Sequence, residues 1–241
     1  MRIGAALLVG AVSLAAAAPA AAVQIDVTSV VGIWTSADSG VSGLNTNTVT
    51  WGFPVTGSGP SGYVFEGFDS SDFGSLQPDA PEIVGEFTHN NFPIFDNGTL
   101  PTMLELVITV QGTLSEGAES TNFTLTDTLE FDHFETPNTA NPCAAGGVPL
   151  CPDQVGLTQI DADDQMIEFL GSIYGFSVNG FFNTANEVVN EVLTVEGAAN
   201  TVNIQGIFTA EEIVTSVPVP ATLPLMVMAL GGAAFLARRR S

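Results

Sequence analysis

Between its two ends the chain alternates apolar and polar side chains with a period of two, the repeat of a half-buried β-strand. Residues 23–27 alternate cleanly, and 30–34 continue that strand after a break. Short strands are predicted over 47–52 and 63–68, with Pro54, Gly57, Gly59 and Pro60 between them. Over 103–111, Leu104, Leu106, Ile108 and Val110 share one face, and Glu105, Val107 and Thr109 the other. Over 122–133, Phe123, Leu125, Leu129 and Phe131 face one way, while Thr124, Thr126, Thr128, Glu130 and Asp132 face the other. Segments 166–178, 187–195 and 202–208 complete the set, and Gly117, Gly197 and the Pro-rich stretch 136–152 mark turns or loops. Helical periodicity is confined to the termini. Short strands with polar, Thr-rich outer faces predict an all-β fold, an antiparallel β-sandwich of jelly-roll-like type.

Both ends carry sorting chemistry. Met1-Arg2, an apolar run from Ile3 to Ala18 and the small residues Ala20-Ala21-Ala22 form a secretory signal peptide over 1–22, cleaved before Val23, with Ala18-Pro19-Ala20 as the second-choice site. The opposite end, 218–241, reads Pro218-Val219-Pro220-Ala221-Thr222, then an apolar run to Ala237, then Arg238-Arg239-Arg240. The prolines keep a helix from running back into the preceding domain. Residues 221–237 sit at the low edge of what spans a bilayer, and the arginines stop them on the cytoplasmic side. The exported domain is then 23–217.

Charge sharpens this picture. The chain has 26 Asp and Glu against 4 Lys and Arg. All four cations, Arg2 and Arg238 to Arg240, lie in the sorting segments, so the exported domain contains no Lys or Arg. Such a domain repels nucleic acid and anionic lipid, and its self-repulsion calls for screening salt or bound cations. Asp161, Asp163 and Asp164 offer clustered oxygen ligands for Ca²⁺, although the Gly and distant Glu of an EF-hand loop are missing. Solubility in a saline habitat is the plainer reading of the same charge.

Cys143 and Cys151 are the only cysteines. In an exported chain their spacing favours a disulfide over free thiols or a two-thiolate metal site, contributing roughly 2–3 kcal/mol. His89 and His133 are the only histidines; with Asp132 or Glu135 they form a candidate transition-metal set. The plainer role for Thr88, His89, Asn90 and Asn91 is to bond backbone at a strand end and set a turn before Pro93. No nucleophile elbow, zincin motif or phosphate loop is present, so no catalytic residue is assigned. A carboxylate pair acting on a glycoside stays compatible with the composition. Trp34, Trp51, Tyr63 and Tyr174 are either sugar-stacking or core residues.

The tail resembles the sorting signal of PEP-CTERM proteins. It departs from that signal at Val219, where Glu is usual, and is similar to a Val-Pro-Leu-Pro-Ala variant at Val217, Pro218, Pro220 and Ala221. The segment from Thr88 to Ile94, with Glu135-Thr136-Pro137-Asn138 and the Cys pair, resembles the subgroup named for Thr-His-x-Asn. The resemblance implies processing by an exosortase, transient residence in the inner membrane, and a final place at the cell surface or in exopolysaccharide or biofilm matrix. The expected role is structural or adhesive and non-enzymatic. A carbohydrate-active enzyme and a Ca²⁺- or glycan-binding module are the alternatives.

Overall fold

The computed structural model describes residues 22–55, 57–95, 99–147, 150–160 and 165–213. The expected Ca²⁺ residues Asp161, Asp163 and Asp164, the sorting tail and all but the last residue of the signal segment lie outside the described residues. Among the described residues the chain is all-β, with no helix. Its strands are β1 (Gln24–Ala37), β2 (Thr48–Trp51), β3 (Phe53–Pro54), β4 (Ser61–Gly67), β5 (Pro81–Asn91), β6 (Ile94–Phe95) and β7 (Met103–Glu116). They continue as β8 (Glu119–Phe134), β9 (Asp153–Ile160), β10 (Ile167–Phe169), β11 (Ser172–Phe182), β12 (Val188–Val189), β13 (Glu191–Thr194) and β14 (Ala198–Glu212).

One sheet runs β1-β7-β8-β9-β13 and the other β10-β11-β14-β5-β4-β2, with β12 beside β11; β3 and β6 form a small separate pair. All strand pairs are antiparallel. The inner faces of both large sheets contribute to a single apolar cluster. Phe87 of β5 stacks on Phe131 of β8 with ring centroids 5.0 Å apart, and Trp34 of β1 meets Phe131 edge-on at the same distance. Aromatic pairs of this kind add about 0.5–1.5 kcal/mol each beyond the area they bury.

The break expected after residue 27 is a β-bulge. The register with β7 shifts between Val27 and Ser29, which moves the inward parity from Ile25 and Val27 to Val30 and Trp34. One extra residue thereby keeps both apolar halves of a single strand on the core side. Gly32, on that inward face, lies so close to Phe65 that a Cβ there would sit 2.2 Å from the ring. The strand predicted over 166–178 is instead a hairpin, β10 to β11, turned at Leu170 and Gly171, both at positive φ. Strand β9 was not anticipated, and of β5 only the end before Pro93 was; both carry residues of the site described below.

Neutral donors take the place of Lys and Arg around the carboxylates. Thr35 Oγ1 donates to Glu105 at 2.7 Å, Ser71 to Asp69 at 2.6 Å, and Thr102 N to Asp38 at 3.0 Å. The disulfide links Cys143 and Cys151 as expected, with Cα atoms 5.3 Å apart, inside the predicted loop 136–152.

Candidate metal centre

Period two decides which side chains enter the core at one end of the two sheets. On β8, Leu129, Phe131 and His133 point inward, while Asp132 lies on the exposed face. On β5, Phe87, His89 and Asn91 point inward, and Thr88 turns outward to share a 2.8 Å hydrogen bond with Thr201. On β9, Asp153, Val155 and Leu157 form the buried set. His89 from one sheet and His133 and Asp153 from the other therefore converge.

The ring centroids of His89 and His133 are 5.3 Å apart and nearly perpendicular. His89, His133 and Asp153 each offer one ligand atom within 4.8 Å of the others, and so do Glu135, Asp153 and Glu196, with Asp153 common to both groups. The sequence expectation of a two-histidine cluster is met in part. Glu135 belongs, its Oε2 3.3 Å from His133 Nε2. Asp132 does not, because adjacent strand positions face opposite sides of the sheet. Asp153 and Glu196 were missed; for Asp153 the legible sign was its parity with Val155 and Leu157.

The Thr-His-Asn-Asn segment is the last stretch of β5, the strand end expected ahead of Pro93, and itself contains no turn. His89 pairs with Tyr63 of β4 on one side and Asn200 of β14 on the other, and the strand ends only at Asn91, ahead of Pro93. The inward pair of this segment grips Thr194 of β13. His89 Nδ1 lies 2.8 Å from Thr194 Oγ1, and Asn91 Nδ2 donates to Thr194 O at 3.0 Å. Thr194 Oγ1 in turn donates to the Asp153 carbonyl at 3.3 Å. With the one Thr194 proton assigned to that carbonyl, Thr194 accepts from His89 Nδ1–H, and in that tautomer the lone pair of His89 sits on Nε2. That atom is buried with no hydrogen-bond partner.

His133 is fixed from its other side, its Nδ1 against the Tyr63 hydroxyl. Asp153 is held at Oδ1 by the Thr136 amide at 2.8 Å, which leaves Oδ2 buried without a partner. Burial drives His89, His133, Asp153 and Glu196 towards their neutral forms. It pushes His89 well below the ordinary histidine range and His133 down to about 4. It raises Asp153 to about 7, helped by the charge of Glu135, and it raises Glu196 by the same two causes. Tyr63 is raised by burial and then by Asp153 and Glu135, so it remains a phenol.

Glu135 is only half-buried and also lines a cleft of about 320 Å³ with Ile94, Leu100, Thr136, Pro137, Asn138 and Thr139. The cluster thus has a polar route to solvent. The four aromatics considered for sugar stacking are all core residues: Trp34, Trp51, Tyr63 and Tyr174 are at most 4% exposed. No protein-family model matches this chain, and no curated protein matches it.

Proposed function

We propose that this is an exported, non-enzymatic structural or adhesive protein, sorted through its 218–241 tail and placed at the cell surface or in an exopolysaccharide matrix. The single observation that carries the reading is the distribution of cations. Every Lys and Arg lies in the two terminal segments, and the 26 carboxylates lie between them. That division separates membrane-sorting chemistry from a domain suited to a saline, polyanionic exterior. The sorting partner is an exosortase-type membrane protease acting at Val217 to Ala221, as the resemblance implies, with transient anchoring by 221–237.

Two features of the folded domain support the structural side. Two antiparallel sheets sharing one core favour a β-sandwich, although the hairpin-linked path β7-β8-β9 stays within one sheet instead of crossing between sheets as jelly-roll strands do. Among the described residues, those lining the cleft beside Glu135 include no aromatic platform for a sugar ring. Changing Pro218 and Pro220 together to Ala tests the reading in the native host. The double variant is expected in the inner membrane at its full signal-cleaved length. Normal tail removal and surface delivery would overturn the sorting role.

A further inference from the structure

We propose that the cluster at the end of the two sheets is a binding site for one divalent transition-metal ion, held by His89 Nε2, His133 Nε2 and Asp153 Oδ2 with Glu135 as the fourth ligand. Four observations converge on it. First, His89 Nε2 and Asp153 Oδ2 are buried atoms with lone pairs and no partner, in residues that are 0% exposed. Leaving such groups unmatched is costly, and a metal–ligand bond removes that cost.

Second, the outer hydrogen bonds are those that metal-bound histidines use. A ligating imidazole gives its second N–H to an oxygen, which fixes its tautomer and plane. His89 gives Nδ1–H to Thr194, and His133 has the Tyr63 hydroxyl at Nδ1. Thr194 also bonds the Asp153 backbone, and Thr136 bonds the Asp153 carboxylate, so one network orients His89 and Asp153 while Tyr63 orients His133.

Third, the charges balance. Two neutral imidazoles with the Asp153 and Glu135 carboxylates would offset the charge of a divalent ion, which leaves Glu196 of the adjoining group as the one carboxylate not counted in that balance. The exported domain has no Lys or Arg to do this instead, and its only histidines are the two in the site.

Fourth, the donor set selects the class of ion. Imidazole nitrogens mixed with carboxylate oxygens suit Zn²⁺, Co²⁺, Fe²⁺ or Mn²⁺ and not Ca²⁺, which takes 6–8 oxygens. Bonds of 2.0–2.2 Å to a tetrahedral ion place ligand atoms about 3.4 Å apart. His89, His133 and Asp153 lie within 4.8 Å of one another and close to that with modest side-chain rotation, while Glu135, whose Oε2 is 3.3 Å from His133 Nε2, would have to swing in as the fourth ligand.

The ion would tie β5 of one sheet to β8 and β9 of the other, two residues from Cys151. It would act as a second staple where the disulfide loop closes, reached through the cleft at Glu135.

The test uses the full chain without a histidine tag, purified in detergent, stripped with a chelator and loaded with Zn²⁺ in a large excess of Ca²⁺ to occupy exposed carboxylates. X-ray absorption should show one ion per chain with two imidazoles in its shell, which only His89 and His133 can supply. Asp153→Asn keeps the acceptor for the Thr136 amide and should weaken Zn²⁺ at least tenfold, and His89→Gln likewise. An all-oxygen shell, or displacement of the ion by Ca²⁺, would overturn the proposal, as would unchanged affinity in both variants. If either variant fails to fold, the imidazole count in the unmodified chain still decides.

Discussion

The Asp127 carboxylate of β8 accepts the backbone N–H of Val178 of β11 at 2.6 Å, bonding one sheet to the other through the core. Asp127 is 3% exposed and occupies an inward position between Leu125 and Leu129. The register of β11 with β14 shifts between Val178 and Gly180. The extra residue of that bulge is Asn179, and the carboxylate takes the amide of Val178 immediately before it. Gln159 Nε2 donates to the same group at 3.0 Å.

Asp127→Ala should therefore cost about 1–3 kcal/mol in urea unfolding, because it strands a buried N–H. Asp127→Asn should cost less, since its carbonyl can still accept. Equal losses for the two variants would point to charge rather than hydrogen bonding as the source.

Leu170 offers the opposite case, a residue whose replacement should help. With Gly171 it forms the two-residue turn between β10 and β11 at φ of +50° and +83°, the pattern of a type I′ turn that Asn-Gly prefers. Its side chain is 55% exposed, so little packing is lost by changing it. Leu170→Asn should raise stability by about 1 kcal/mol, read as a higher melting temperature. A lower one would show that the turn is not strained.

Acid should expose the role of Asp38. Burial raises its pKa, but hydrogen bonds from Thr102 and Met103 outweigh that and leave it below the usual carboxylate value. The unfolded chain then takes up this proton first as pH falls. The stabilisation is complete above about pH 4 and disappears as pH drops through the lower folded value. The group is exposed, so the effect should stay below about 1 kcal/mol. Wild type should exceed Asp38→Asn in stability at pH 5, and the gap should narrow as pH falls through the lowered folded-state value; a constant gap would remove the ionised carboxylate from the explanation.

How far the sequence could be read depends on how local each cause is. Alternation in 103–111 and 122–133 is a property of neighbouring residues, and those segments became β7 and β8 with the expected faces. Of strand β5 only the end before Pro93 was legible: Gly85, Glu86 and the polar run 88–91 interrupt its alternation, and the strand is secured by pairing with β4 and β14 on either side. The half-strands around residue 28 share one strand because a bulge restores their parity, which only pairing with β7 reveals. At the site, His133 and Glu135 were legible as neighbours. Asp153 and Glu196 arrive through the disulfide loop and the turn before β14, contacts that no spacing encodes. Asp127 was passed over because a charged residue in an apolar face reads as noise until its partner is seen.

The central claim, an exported acidic domain flanked by two removable sorting segments, is tested most directly by the intact mass of the protein recovered from its native host. The account predicts a species that begins at Val23 and has lost the 221–237 helix with Arg238 to Arg240, its mass reduced by two further hydrogens for the Cys143–Cys151 bond. A mature species extending to Ser241 would contradict it.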